Sequence, residues 1–178
     1  NIRNAANAAE RISAGDLTVN VKVLSDKDIL GKSLDQCVTN VKLLVADAEM
    51  LSVAAIQGKL DTRADATKHG GDFRKIVEGV NKTLDSVIGP LNVAAEYVDR
   101  ISKGDIPPKI TDSYNGDFNI LKNNLNTCVD AVNALVSDAN MLSEAAVALK
   151  LDTRADATKH QGDYRKVIEG VNATLDAV

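Results

Sequence analysis

Apolar residues recur at alternating steps of three and four along three long stretches of the chain. These stretches cover residues 30–55, 77–101 and 118–149. Alternating steps of three and four keep one apolar stripe of a helix turned towards a partner helix. Each stretch is also much longer than the average helix of a globular protein. The pattern therefore predicts an all-α fold in which long helices pack as coiled coils.

The segments between these stretches lose the helical pattern. Residues 18–25 alternate apolar and polar side chains, and residues 107–116 contain the helix-breaking pairs Pro107-Pro108 and Asn115-Gly116. Residues 61–71 and 152–162 are polar, with few apolar anchors. Ten extended residues span about 30 Å, which is enough to run back along a helix. We therefore expect extended connectors between helices that lie parallel to each other.

The chain repeats itself at two levels. Residues 59–69, KLDTRADATKH, recur unchanged at 150–160, and Cys37 and Cys128 have the same separation. Within this repeat, a signal of glycine, any residue and an aliphatic residue precedes each connector, and an acidic residue follows it. The signals are Gly15-Asp16-Leu17, Gly58-Lys59-Leu60, Gly104-Asp105-Ile106 and a degenerate Leu149-Lys150-Leu151, and the acidic residues are Asp26, Asp72, Asp117 and Asp163. We interpret the glycines as residues whose positive φ ends the first helix, and the acidic residues as starts of the second.

This spacing predicts four helix–connector–helix modules of about 45 residues, none large enough to own a core. The modules are residues 1–46, 47–88, 89–135 and 136–178. Three long helices are shared across the junctions between them: one over 26–58, one in the middle of the chain and one over 117–149. We expect two copies of each module to close a parallel four-helix bundle in a homodimer. Gly89-Pro90 is predicted to be a hinge in a kinked but unbroken helix. The predicted dimer core contains Leu34, Cys37, Val80, Leu84, Leu125, Cys128 and Val171.

The composition excludes several functional classes. Aromatic residues make up only 3% of the chain and tryptophan is absent, which argues against small-molecule pockets and against stacking of single-stranded nucleic acid. The net charge is −4 with no basic block, so capture of nucleic acid is not expected. No catalytic set, cysteine–histidine metal spacing or apolar run of membrane-spanning length is present. We expect neither an enzyme nor a metal or cofactor site.

Three smaller features each have a simple interpretation and an alternative. Cys37 and Cys128 lie on the apolar stripe, where they are expected to act as inert core residues rather than as a redox switch. His69 and His160 lie in polar connectors and are expected to be solvated rather than pH-sensing. The Asp61-Arg63-Asp65 cluster, repeated at Asp152-Arg154-Asp156, lacks the central glycine and terminal glutamate of a calcium loop. It is interpreted as a solvated connector, with surface ion pairs at most.

Taken together, the module pattern resembles the HAMP domain of bacterial transmembrane receptors. The resemblance is carried by the Gly-Asp-Leu signal, the extended connector, the acidic start of the second helix, and a large apolar residue followed by Asn inside that helix. The last pair is Val80-Asn81, Leu125-Asn126 and Val171-Asn172, whereas Leu34-Asp35 departs from it. Lys59 and Lys150 also replace the aspartate of the signal in the second and fourth modules.

This resemblance implies a role as well as a fold. It implies stacked homodimeric bundles that relay conformational change between covalently adjacent input and output domains, in the cytoplasmic part of a chemoreceptor-like protein. It also implies that the two alternating module types prefer opposite states. The alternative is a rigid coiled-coil spacer or dimerisation segment of a sensor histidine kinase or another multidomain protein. Interruption of the coil by four connectors favours the relay, since a rod needs only continuous heptads.

Overall fold

The computed structural model describes residues 2–177, and within this range the chain is helical without a strand. This confirms the predicted all-α class. None of the helices in the described range combines the length and the apolar character needed to cross a membrane. The α-helices are α1 (Ile2–Ser13), α2 (Ile29–Ile56), α3 (Gly71–Ser102), α4 (Asp117–Val147) and α5 (Gly162–Asp176), and two 3-10 turns cover Ala66–Lys68 and Ala157–Lys159.

The chain divides into two compact units, the first ending at Ile88 and the second beginning at Gly89. This border coincides with the predicted boundary between the second and third modules. Helix α3 belongs to both units and continues through Gly89 and Pro90, so the helix is unbroken there, as predicted. Proline removes one backbone donor inside the helix, and Gly89 has open space where a Cβ would stand.

In the first unit, a small apolar cluster joins two helices and the connector between them. Ala8 of α1, Val19 of the connector and Val38 of α2 are buried against each other. Ile12, Val21 and Leu34 pack around them. The alternating apolar residues predicted in this connector therefore supply part of the core.

The second unit contains an equivalent cluster near its end. Leu142 of α4, Ala155 of the connector and Ile168 of α5 are buried together. Leu135, Ala157 and Leu175 pack against them. Here the connector contributes alanines, which occupy little volume, so most of the apolar area comes from the two helices.

The structure corrects several predicted helix limits. Helix α2 begins at Ile29, not at Asp26, because the side chain of Asp28 caps it by accepting a hydrogen bond from the Gly31 N–H at 3.0 Å. Asp26 lies in the connector before this cap. The helices predicted over 26–58 and 117–149 end at Ile56 and Val147, since the backbone turns left-handed two residues later. The remaining acidic starts lie in the first helical turns as predicted: Asp72, Asp117 and Asp163.

Candidate functional site

The candidate site is the set of four connectors, and each begins where a helix ends in a left-handed residue. Gly15, Gly58 and Gly104 have φ angles of 81°, 71° and 78°. The residue after each glycine donates its N–H to a carbonyl five residues earlier, as from Lys59 to Ala54 at 2.8 Å. This is the C-terminal motif that glycine favours because it lacks a Cβ. The glycines thus have the backbone conformation that the sequence predicts.

The degenerate fourth signal makes the same turn without glycine. Leu149 has a φ of 57°, and the N–H of Lys150 donates to the Ala145 carbonyl at 2.8 Å. A left-handed conformation costs an ordinary residue about 1–2 kcal/mol. Leu149 is 82% exposed, so side-chain burial contributes little towards offsetting this cost. The fourth module therefore keeps the turn at the expense of local backbone strain.

Aspartates in the first and third signals clamp the turn to the preceding helix. Arg11 Nε donates to Asp16 Oδ2 at 2.8 Å, and Arg100 Nε donates to Asp105 Oδ2 at 2.7 Å. Hydrogen bonds from Thr18, and then from Arg11, lower the pKa of Asp16 from 3.8 to about 2. The hydrogen bond from Arg100 likewise lowers the pKa of Asp105. The second and fourth signals carry lysine at this position and have no equivalent clamp among the described contacts.

An asparagine on the second helix brackets the connector in three of the four modules. The Asn81 side chain accepts from the Ala64 N–H at 3.1 Å and donates to the Ala64 carbonyl at 2.8 Å. Asn172 holds Ala155 at the same two distances. Asn126 holds Ile110 at 2.7 and 3.0 Å. A primary amide both donates and accepts, which explains why asparagine follows the large apolar residue in this pattern.

The first module has Asp35 at the bracketing position, and its connector is held differently. An ionised carboxylate only accepts hydrogen bonds, so Asp35 cannot satisfy both backbone groups of a connector residue. No bracket is present among the described hydrogen bonds of this module. Instead, Val19 is buried between α1 and α2, and Asp28 accepts from the Leu24 N–H at 3.0 Å. The replacement of asparagine by Asp35 therefore goes with a connector that is held by apolar burial and by Asp28 instead of by a bracket.

The structure corrects the interpretation of the two histidines. His69 and His160 are 7% and 3% exposed rather than solvated. The Nε2 atom of His69 lies 2.6 Å from Oδ2 of Asp47, and that of His160 lies 2.7 Å from Oδ2 of Asp138. Sequence reasoning missed both aspartates. The available signal was the separation of 22 residues between aspartate and histidine, which is the same in both copies.

The arginines of the repeated connector reach the second helix of their own module. Arg63 pairs with Asp85 on α3 and Arg154 with Asp176 on α5, with shortest distances of 2.7 and 2.6 Å. Asp65 does not face a cation site, since its Oδ1 accepts from the N–H and the hydroxyl of Thr67. These hydrogen bonds lower the pKa of Asp65. The sequence allowed surface ion pairs in this connector, and the structure has one in each copy, formed by the connector arginine.

Comparison with known families agrees with this geometry. A model described as HAMP domain matches residues 68–134 and 159–178. A second model with the same description matches residues 1–28, and the matches together span well over half of the chain. The chain belongs to the HAMP domain family. No solved structure matches it. The matches imply the signal-relay role that HAMP domains have in bacterial receptors or kinases.

The predicted dimer-core residues of these HAMP modules form no enclosed core within one chain. Cys37, Cys128, Val80 and Val171 are exposed. Leu34, Leu84 and Leu125 are half-buried, with Leu34 packed on the cluster around Val38. The stripe predicted to face a partner is thus open only in part, since Val77 and Leu142, which also follow its steps, are 3% and 4% exposed. Two residues that the stripe did not include, Val38 and Val129, are 4% and 1% exposed and pack inside the protomer.

Proposed function

We propose that the chain is a signal-relay segment of a bacterial chemoreceptor-like protein, working as a parallel homodimer of four stacked HAMP modules. Its partners are a second copy of itself and the covalently adjacent input and output domains, and it acts in the cytoplasm. We propose also that it catalyses no reaction and binds neither nucleic acid nor a small ligand. The low aromatic content and the lack of a catalytic set in the sequence support this part.

The open apolar stripe is the observation that carries the proposal. Several large side chains at predicted seam positions are 40–61% exposed in one chain, and they lie on three different helices. They include Leu30, Val80, Val87, Leu91, Val98 and Val171. Exposed apolar side chains grouped on one side of a helix mark a protein–protein contact surface, and steps of three and four match the packing of a second helix. A second copy supplies a surface of the same periodicity.

The connectors support a relay over a rigid spacer. Each one interrupts the coil with a left-handed turn and then runs along its module before the next helix begins. A spacer gains nothing from such an interruption, which shortens the continuous heptads. A relay gains a separate two-helix unit per module, whose packing can change in discrete steps.

The dimer is tested by the mass of the chain in solution. One chain has a mass of 18.9 kDa, so light scattering at micromolar concentration should give twice this value. A folded monomer at that concentration would contradict the proposal.

The register of the dimer is tested with the two natural cysteines. Because Cys37 and Cys128 are exposed in one chain and lie on the stripe, mild oxidation should link each to its copy. A disulfide needs Cα atoms within about 7 Å, so only cysteines near the dimer axis react. Cysteines introduced at Lys42 and Asn133, on the same helices, serve as controls. If these react and the natural pair does not, the proposed seam is wrong.

The relay is tested by inserting the 178 residues between the input and output domains of a chemoreceptor. Gly104→Ala forces a Cβ onto a residue with a φ of 78°, in open space, and leaves the chain length unchanged. If the chain is a relay, Gly104→Ala should change the basal output of the receptor or its response to stimulus. Gly170→Ala, at an open helical site, is the matched control. Equal output from both variants and the parent would favour the rigid spacer.

A further inference from the structure

The connectors of the second and fourth modules are attached to two different helices, through an asparagine on the second helix and through a histidine–aspartate contact with the first. In the fourth module, Asn172 of α5 brackets the backbone of Ala155. At the other end, Nε2 of His160 lies 2.7 Å from Oδ2 of Asp138 on α4. Residues 64–69 in the second module have the same attachments, to Asn81 of α3 and Asp47 of α2. We call residues 64–69 and 155–160 straps.

The strap between its two attachments is short and internally braced. Asp156 accepts from the N–H of Thr158 at 3.0 Å and from its hydroxyl at 2.6 Å. The N–H of His160 donates to the Ala157 carbonyl at 3.2 Å, which closes a 3-10 turn. Arg165 of α5 donates to the His160 carbonyl at 3.0 Å. Six residues with these contacts have little slack to take up a movement of either helix.

The strap residue of each attachment is buried, which makes the attachment expensive to open. His160 is 3% exposed and Ala155 is 5% exposed. A carboxylate only accepts, so this hydrogen bond runs from the Nε2–H of His160 to Asp138. Opening this contact without access to water leaves a buried donor without a partner, and that cost exceeds the net value of the bond itself. The same holds for the backbone groups that Asn172 satisfies.

We propose that each strap locks the axial register of the two helices of its module. A slide of α4 along α5 by one helical turn, about 5.4 Å, takes Asp138 out of hydrogen-bond reach of His160, and smaller slides bend the bond. A displacement of the first helix along its axis is then transmitted to the second helix instead of being absorbed within the module. This consequence for signalling rests on the proposed relay function, whereas the lock itself is a property of one chain.

The lock is tested by distances between spin labels on α4 and α5. Leu142 and Ile168 share one core cluster, so Asn140 and Lys166, two residues before each, lie at about the same level. Asn140 with Ala173 forms a diagonal pair, offset by about 10 Å along the helix, and all three positions are exposed. Labels are placed at Asn140→Cys with either Lys166→Cys or Ala173→Cys, after replacing Cys37 and Cys128 with serine. Labelled chain is diluted with unlabelled chain so that only distances within one protomer are measured.

Asp138→Ala opens one attachment, and Glu144→Ala removes an exposed carboxylate from the same helix as the matched control. We expect Asp138→Ala to widen the diagonal distribution by at least about 1.5 Å, one residue of helical rise. The level pair should change less, because sliding is nearly perpendicular to it. Glu144→Ala should leave both distributions as in the parent. Asn172→Ala opens the bracket while Arg165 still holds the His160 carbonyl to α5, so it should widen the diagonal distribution less than Asp138→Ala does.

Two results would overturn the lock. One is an unchanged diagonal distribution in Asp138→Ala and Asn172→Ala chains that retain the helical circular dichroism of the parent. The other is loss of the helices in both variants, since the strap would then hold the fold and not the register. Either result is independent of the relay, because the distances are read within one chain. Failure of the receptor insertion experiment, in turn, leaves these distances unaffected.

Discussion

The first connector, residues 14–28, and the second, residues 57–70, lie in the same structural unit but are held by different forces. The first buries the branched side chain of Val19 in a cluster shared with α1 and α2. The second buries only Ala64 among its apolar residues. It is held instead by hydrogen bonds from Asn81 and by the contact between His69 and Asp47.

This difference follows from how much apolar area each connector offers. Burying a valine side chain contributes about 1.5–3 kcal/mol, whereas a buried alanine contributes much less. A connector built on alanine must gain its stability from directed contacts, and such contacts specify position more closely than apolar packing does. The second connector is therefore positioned by directed contacts to both helices, whereas in the first such contacts lie near its two ends, at Asp16 and Asp28.

The largest effect is expected at the bracketing asparagine. Asn81→Ala removes two hydrogen bonds and leaves the N–H and carbonyl of Ala64 without partners. We expect the free energy of unfolding to fall by about 3 kcal/mol, because buried backbone groups left without partners cost more than the net value of their bonds. Urea unfolding followed by circular dichroism measures this change. Asp35→Ala, at the matching exposed position of the first module, should change it by less than about 0.5 kcal/mol, and equal effects would remove the distinction between the connectors.

A somewhat smaller effect is expected from the apolar anchor of the first connector. Val19→Ala deletes two methyl groups from a side chain that is 7% exposed. We expect a loss of about 2 kcal/mol in the same measurement, since transfer and cavity terms add. Val23→Ala, in the same connector but 38% exposed, is the control and should cost much less. A loss at Val23 as large as that at Val19 would mean that burial of Val19 is not what anchors this connector.

These two connectors also illustrate which features of the fold and of the site could be predicted from the sequence. Helix period and glycine signals are local properties, so the all-α class, the turns at Gly15, Gly58 and Gly104, and the continuity of α3 through Pro90 follow from sequence. The apolar alternation around Val19 likewise indicates a packed connector. By contrast, a polar segment is expected to be solvated. Nothing in the sequence next to His69 indicates that Asp47 lies against it.

The start of α2 shows the same limit. Asp26 and Asp28 both precede the helix, and either can be a cap by residue type. The choice depends on which carboxylate reaches the free N–H groups of the first turn, and Asp28 does so at Gly31. The asparagine of the family pattern was visible in the sequence, but the residue that it brackets was not, because the partner lies 16 or 17 residues earlier.

The two copies of the repeated connector differ in the residue that ends the preceding helix, and this difference gives a matched pair of substitutions. Leu149→Gly relieves the left-handed strain at a φ of 57°, and Gly58→Leu creates it at 71°, where a Cβ meets no other atom. We expect a gain of about 1 kcal/mol in the first case and a similar loss in the second. Thermal or urea unfolding measures both. Changes of the same sign would show that side-chain contacts, and not backbone strain, distinguish the two copies.

The smallest effect concerns the aspartate that clamps the first connector and that lysine replaces in the second. The pKa of Asp16 is lowered from 3.8 to about 2 by hydrogen bonds from Thr18 and then Arg11. Because the folded-state pKa is depressed, this group stabilises the fold above pH 3.8, and the contribution is lost as the pH falls towards 2. Titration of its carboxyl carbon by NMR should give a midpoint near 2. Thr18→Val removes the largest cause and should move that midpoint towards 3.8 with little change in unfolding free energy at pH 7, since an exposed pair contributes little to stability. A midpoint that stays low in this variant would assign the shift to Arg11 and to the N–H of residue 18, which valine keeps. The first connector would then be clamped mainly by an arginine–aspartate pair like that of Arg100 and Asp105 in the third module.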